Sequence, residues 1–172
     1  MGLTHPNLAM SFLRFTKKGV SQSLLHQLKY KNKPEIGAEL GRIYGSILMS
    51  YNFQENWDQI TPVPLHPLKQ KRRGYNQSEQ FANGLSESLG VPVIKSLERV
   101  LFTETQTKKS RVDRIANVAQ VFAITDKEVI GKRVLLVDDV MTTGATLVSC
   151  ANLLLGHQAK TVDLAVIAAG KV

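Results

Sequence analysis

The chain has 172 residues, 43% of them hydrophobic, and 22 Lys and Arg against 14 Asp and Glu give a net charge of +8. That length suits one domain with one substantial core, here taken as residues 1–172. No apolar run approaches membrane-spanning length, no secretory pattern opens the chain, and a lone cysteine excludes an internal disulfide and a Cys-based zinc site. The expected compartment is the cytoplasm. The positive charge is concentrated, since seven of the eight excess charges fall in residues 69–73 and 108–114. Clusters of this kind suit a polyphosphate or a nucleic acid, and composition does not choose between these and two solvated loops.

Residues 1–19 carry scattered apolar side chains without a clear period, and no element is assigned to them. Ser21 to Tyr30 reads as a helix with Leu24, Leu25 and Leu28 on one face. Pro34 fits the first turn of a second helix, whose expected buried stripe is Ile36, Leu40, Ile43 and Ile47. No strand separates these helices, so they are expected to pack as a pair over one edge of a sheet. Tyr51 to Trp57 reads as a loop and Asp58 to Pro64 as a short strand. Pro62 and Pro64 limit that strand to an edge or a strand end. Leu65 to Tyr75 is a basic loop. Asn76 caps the next helix with Glu79 at the capping-box position, Phe81, Ala82, Leu85 and Leu89 form its buried face, and Gly90 ends it. Val91 to Ile94, Val100 to Phe102 and Gln120 to Ile124 are strand candidates. Thr103 to Asn117 is polar and basic and is expected to be a mobile loop or an exposed turn of helix. Lys127 to Lys132 reads as a turn, and Val162 to Ala168 as the last buried strand.

The stretch around which the chain is organised is Arg133 to Thr146, Arg-Val-Leu-Leu-Val-Asp-Asp-Val-Met-Thr-Thr-Gly-Ala-Thr. Val134 to Val137 is too short for a helix and does not alternate, so it predicts a parallel strand buried on both faces. Asp138 and Asp139 sit where that strand is expected to end. Thr142, Thr143, Gly144, Ala145 and Thr146 form a small, hydroxyl-rich loop. Leu147, Cys150, Ala151 and Leu154 then recur at helical spacing up to Gly156, which places Cys150 in the core rather than at a reactive site. A small-residue loop that opens a helix presents free backbone N–H groups and the positive end of the helix dipole, which together form a phosphate site. Paired carboxylates beside it suit sugar hydroxyls or a hydrated metal ion. A phosphorylated ribose meets all of these demands. Neither a P-loop nor a Gly-x-Gly-x-x-Gly fingerprint is present.

These fourteen residues resemble the phosphoribosyl-diphosphate (PRPP) motif of type I phosphoribosyltransferases. Thr61-Pro62-Val63-Pro64-Leu65-His66 and Arg73-Gly74-Tyr75-Asn76-Gln77 resemble the ComF family of competence-related proteins, as do Gln106, Arg111, Asn117 and Phe122 at their spacings and Leu28-Lys29-Tyr30 near the start. The resemblance runs from about residue 20 to the end. ComF proteins in turn resemble the phosphoribosyltransferase half of amidophosphoribosyltransferase. The four-cysteine zinc finger that opens many of them is lacking here, and so are a glutaminase domain and its cysteine nucleophile. The implied fold is α/β, a type I phosphoribosyltransferase-like parallel sheet with helices on both faces. The N-terminal residues 1–57 would form a small helical hood and residues 58–172 the PRPP-binding core.

The resemblance implies a role for each segment. Residues Thr142, Thr143, Gly144, Ala145 and Thr146 would hold the 5-phosphate, and Asp138 and Asp139 the ribose hydroxyls. Pro64, Leu65 and His66, with Arg72 and Arg73, would hold the diphosphate. Lys108, Arg111 and Arg114 would close over it as catalytic cations. Mg²⁺ would be held mainly through substrate and water. The implied activity is transfer of phosphoribose to an acceptor that no segment names, with release of diphosphate, as in the glycosyltransferase class. A competence-related protein that handles single-stranded DNA, with PRPP as ligand or regulator, is the competing expectation. It rests on the basic loops and on Tyr75 as a stacking platform. A non-catalytic PRPP sensor is the third. No membrane partner is expected, and a homodimer is.

Overall fold

The computed structural model describes residues 7–100, 121–125 and 127–170. In chain order its elements are β1 (Ala9–Arg14), α1 (Val20–Tyr30), α2 (Pro34–Ser50), β2 (Gln59–Pro62), α3 (Pro67–Arg73), α4 (Gln77–Leu89), β3 (Leu97–Arg99), β4 (Phe122–Ile124), β5 (Arg133–Met141), α5 (Ala145–Gly156) and β6 (Thr161–Ala169). Four parallel strands form one sheet in the order β1-β6-β5-β2, and β3 and β4 form a separate antiparallel pair.

The apolar run that predicts a doubly covered strand behaves as one. Val134, Leu135, Leu136 and Val137 are fully buried in β5, where unbroken hydrophobic sequence is what a parallel strand between two helical layers demands. Leu135 and Val137, with Ala165 and Ile167 of β6, face a cluster containing Leu28, Tyr44, Phe81 and Leu85 from α1, α2 and α4. Val134 and Leu136, with Leu164 and Val166, face Leu147, Cys150 and Leu154 of α5. Alternation along each strand thus distributes its side chains to two cores, one per face.

The unassigned N-terminal segment supplies β1, which pairs in parallel with β6 from Ala9↔Leu164 to Arg14↔Ala169. As an edge strand it is covered unevenly, with alternate residues partly exposed, and so it carries a weak period. The N-terminal 57 residues therefore contribute an edge strand as well as two helices. β2 is the opposite edge, which agrees with the constraint imposed by Pro62 and Pro64. The expected strand at Val91 to Ile94 is reduced to one bridge between Val93 and Ile60. The basic segment 65–75 is not all loop. Residues 67–73 form α3, with Pro67 in its first turn, His66 as N-cap and Gly74 in the left-handed region at its end.

The stripe expected on α2 is rotated from the one observed. Ile43 and Ile47 are each 43% exposed. The buried face is Gly37, Leu40, Gly41, Tyr44, Gly45 and Leu48. It packs on α4 and not mainly on α1. A Cβ at Gly41 would lie 2.4 Å from the Phe81 carbonyl oxygen, and one at Gly84 would lie 2.0 Å from that of Ala38. Glycine at these positions lets the two helix backbones touch. A hydrophobicity count misses such a face because glycine contributes nothing to it. α4 itself matches its sequence pattern, with Phe81, Ala82 and Leu85 fully buried, Asn76 as N-cap and Gly90 at φ 70°. Glu79 does not complete the capping box and instead pairs with Lys95 at 2.5 Å.

Candidate functional site

The strand that carries the acidic pair is longer than the sequence predicts. β5 continues through Met141, with Asp138 opposite Val166 and Val140 opposite Ala168 on β6. On its other side β2 stops at Pro62, opposite Val137. Asp138 and Asp139 are therefore inside β5 rather than beyond it, but past the last residue of their β2 neighbour. The gap is filled by the start of α4. Asn76 Nδ2 donates to the Val63 carbonyl at 3.0 Å, and its Oδ1 accepts from Ser78 N at 3.1 Å. This double anchor sets the first turn of α4 against the acidic pair.

Two side chains of that turn hold the carboxylates. Ser78 Oγ donates to Asp138 Oδ1 at 2.7 Å, and Gln77 Nε2 donates to Asp139 Oδ2 at 3.0 Å. The Asp139 backbone N–H also donates to Asp138 Oδ1 at 2.8 Å. A third contact comes from the end of α1, where Lys29 Nζ lies 2.9 Å from Asp139 Oδ2. Asp139 is buried, at 4% exposure. Burial, and then the neighbouring Asp139 charge, push the Asp138 carboxyl up to about 7; the Ser78 hydroxyl, the Asp139 N–H and Lys29 pull the other way. Two adjacent carboxyls in a poorly solvated site resist carrying two charges.

After β5 the chain turns through Thr142 and Thr143 into α5. Gly144 is the N-cap at φ 73° and ψ 0°, in the left-handed region that glycine enters without strain. The first backbone bond of the helix runs from Val148 N to Gly144 O, so the N–H groups of residues 145–147 point out of its start. Thr143 Oγ1 accepts from Ala145 N at 3.4 Å. Asp138, Thr142, Thr143, Gly144, Ala145 and Thr146 together line a small cavity of about 50 Å³. The predicted phosphate loop and one predicted diol carboxylate are thus brought into one concavity.

The set predicted for diphosphate is divided by α3. Pro64 and Leu65 line a cavity of about 230 Å³ on one side, together with Gln70, Lys95 and Arg99. Arg72 and Arg73 line a different cavity with Lys29 and Tyr30. His66 Nδ1 accepts from Leu68 N at 3.2 Å and so caps α3. Lys108, Arg111 and Arg114 lie outside the described residues. Tyr75 does not serve as a stacking platform. It is 8% exposed, and its hydroxyl donates to the Leu28 carbonyl. Cys150 is fully buried, and burial pushes its thiol well up, so it is no nucleophile. Lys29, Gln77 and Ser78 were not singled out as site residues from sequence. The signal for Lys29 and Gln77 is their place in the Leu28-Lys29-Tyr30 and Asn76-Gln77 matches, and Ser78 carries none.

The phosphoribosyl transferase domain family matches residues 26–172. The chain belongs to that family. Competence protein F of Haemophilus influenzae is 42% identical over 100 residues, covering 56% of this chain and 44% of that protein. DNA utilization protein YhgH of Salmonella typhimurium is 36% identical over 145 residues, covering 82% of this chain and 63% of its own length. This chain therefore spans about half to under two thirds of those relatives. Among solved structures, glutamine PRPP amidotransferase from B. subtilis complexed with ADP and GMP superposes with a TM-score of 0.53 at 22% identity, over 76% of this chain and 26% of that one. The likeness extends the ComF resemblance to the fold, a central parallel sheet flanked by helices. Among the described residues of this family member, no helix is long and apolar enough to cross a membrane.

Proposed function

We propose that this protein binds PRPP with Mg²⁺ and transfers its phosphoribosyl group to an acceptor, releasing diphosphate. The observation that carries this reading is the junction of β5 and α5. A glycine-capped helix start opens onto the same small cavity that Asp138 borders, and Asp139 follows it in the chain. The N–H groups of residues 145–147 and the hydroxyls of Thr142, Thr143 and Thr146 suit the 5-phosphate. Asp138 and Asp139 accept from the ribose 2- and 3-hydroxyls, with Ser78 and Gln77 holding them in position. The diphosphate would lie along Pro64, Leu65 and His66; the first two line a cavity with Arg99 and with Lys95, which is paired with Glu79, and Glu98 lines it as well. Lys108, Arg111 and Arg114 enter this reading through the family resemblance alone.

Oxygen-only donors of this kind fit Mg²⁺, which is commonly bound through one or two carboxylates plus substrate phosphates and keeps several waters. Asp138 and Asp139 are the carboxylates that border the loop. When bound, the ion neutralises diphosphate charge. In the transfer, the bond from C1 to the diphosphate oxygen breaks as a bond from the acceptor to C1 forms, and the acceptor loses a proton. The chain's part is to hold the ribose by its hydroxyls and 5-phosphate while donors stabilise the departing anion.

A second reading, single-stranded DNA handling with PRPP as ligand or regulator, is favoured by the exposed cations of α3 and by the competence and DNA-utilization names of the relatives. Calorimetry with PRPP and Mg²⁺ on the parent and on the Asp138→Asn/Asp139→Asn double variant tests the first reading. Binding is expected for the parent and a loss of at least tenfold for the variant. Unchanged affinity in the variant would sink the carboxylate assignment. An acceptor screen for diphosphate release, run beside salt-dependent binding of a thymidine oligonucleotide, separates the two readings.

A further inference from the structure

On the α1 side of α3 lies a cavity of about 440 Å³ whose lining includes Lys29, Tyr30, Lys69, Lys71, Arg72 and Arg73 and contains no acidic residue. Five of the residues that line it are cations. Two of its five cations have partners. Lys29 is 2.9 Å from Asp139, and Arg73 donates to Gln77 Oε1 and lies 5.8 Å from the centre of the Tyr30 ring. The side chains of Lys69, Lys71 and Arg72 form no ion pair or hydrogen bond with the described residues. Gathering so many like charges in one hollow is unfavourable unless an anion occupies it.

Two features separate this cavity from the diphosphate seat. Pro64 and Leu65, the residues matched to the family's diphosphate loop, line the other cavity, across α3. A diphosphate that arrives with Mg²⁺ is also partly neutralised, so it leaves most of five cations uncompensated. One feature ties the cavity to the ribose seat. Lys29 lines it and at the same time contacts Asp139, and Arg73 reaches the same carboxylate through Gln77.

We propose that this cavity seats the phosphates of a second, phosphate-bearing ligand beside the phosphoribosyl group. The ligand class is a small ester or anhydride carrying two or more phosphates. Its charge is met by Lys69, Lys71 and Arg72, and Lys29 is shared between it and Asp139. An acceptor seated there would approach the ribose from the side opposite the diphosphate loop. This inference rests on the phosphoribosyl reading of Asp138 and Asp139 only for the identity of the neighbour, not for the presence of the site.

The test uses inorganic tripolyphosphate as probe, titrated calorimetrically into the full chain with and without saturating PRPP and Mg²⁺. Tripolyphosphate is expected to bind in both cases. The Lys69→Ala/Lys71→Ala variant, altered only at exposed positions, is expected to lose at least about tenfold in tripolyphosphate affinity, with a salt slope smaller by roughly one unit per contact removed. Its PRPP affinity is expected to stay within about twofold of the parent, well inside the tenfold that 1.4 kcal/mol represents. Tripolyphosphate binding that the variant retains in full overturns the site. One-for-one displacement of tripolyphosphate by PRPP overturns its separateness from the diphosphate seat. Failure of PRPP to bind, with cavity binding intact and sensitive to the variant, would instead remove the phosphoribosyl reading and leave the cavity standing.

Discussion

Asp138 shows how one side chain can set stability against binding. Its carboxyl titrates near 7 because it is desolvated and lies next to Asp139. The unfolded chain would ionise the same group near the ordinary carboxylate value of about 3.9. The folded state therefore binds the proton more tightly, and the group's unfavourable contribution grows as pH rises from about 4 to about 7. Replacing Asp138 with Asn is expected to raise the melting temperature near pH 8 and to change it little near pH 4, where the folded group is protonated and the unfolded one only begins to ionise. The cost should appear in function. Parent affinity for ribose 5-phosphate is expected to rise between about pH 6 and pH 8, because a diol donates best to ionised carboxylates. The variant should bind weakly and keep only the shallower rise that comes from the second ionisation of the ligand's own phosphate, at about pH 6. A thermal shift in the variant that is equal at both extremes of pH would refute this account. Gly144 belongs to the same scale. Alanine there would meet no clash closer than 3.7 Å but would carry a φ of 73°, at a cost of about 1–2 kcal/mol.

Elements here are positioned by what their contact faces lack as much as by what they contain. Gly37, Gly41 and Gly45 recur every four residues on α2, where Gly41 meets Gly84 of α4 and its two neighbours lie against Gln80 and Ser88. This close approach fixes α4, and α4 in turn presents Asn76, Gln77 and Ser78 to the acidic pair. Gly84→Ala places a methyl group 2.0 Å from a backbone oxygen. It is expected to destabilise the fold by about 2–3 kcal/mol, the upper range for overpacking, read as a lower urea midpoint. Gly156→Ala, where a Cβ meets nothing within 4 Å at the last turn of α5, is the control and is expected to be neutral or slightly stabilising. Equal midpoints for the two variants would mean that the glycines are not needed for contact. Helical periodicity placed α4 and α5 with their buried residues, because their core faces are built from Phe, Leu, Ala and Cys. The α2 face escaped the same count, since its glycines register as neither apolar nor polar.

At the scale of the whole molecule, the two ends of the sheet do different work. At the carboxyl ends of the strands lie the acidic pair, the hydroxyl-rich loop and both charged cavities. At the amino ends, Arg133 grips Asp58 through two side-chain contacts of 2.7 and 3.1 Å. Nearby on β6, the Trp57 indole donates to Asp163 Oδ2 at 2.8 Å, while Asp163 Oδ1 is buried without a partner among the described residues. That carboxylate depends on one donor. Trp57→Phe is expected to cost about 1–3 kcal/mol or somewhat more, the penalty for stranding a buried acceptor. PRPP affinity should be unchanged at a temperature where the variant is folded. A loss of affinity that tracks the loss of stability would show that the two ends are coupled.

The strand-acid-loop-helix order from Arg133 to Thr146 was legible from sequence because it is local. An unbroken apolar run, two carboxylates, small hydroxyl residues and a helical period each constrain the backbone within a few residues of themselves. Together they determined the small-residue loop before α5, the doubly buried strand and the parallel α/β class. Tertiary structure alone decided which distant side chains serve that loop. Lys29 reaches Asp139 across 110 positions of chain and Gln77 across 62, and nothing in the local pattern of either residue marks it as a partner of a carboxylate. It also decided that the basic segment after His66 is a short helix with a cavity on each side. A charge run read along the chain looks like one anion site. In space, α3 turns Arg72 and Arg73 away from Pro64 and Leu65, because a helix distributes successive side chains around its axis.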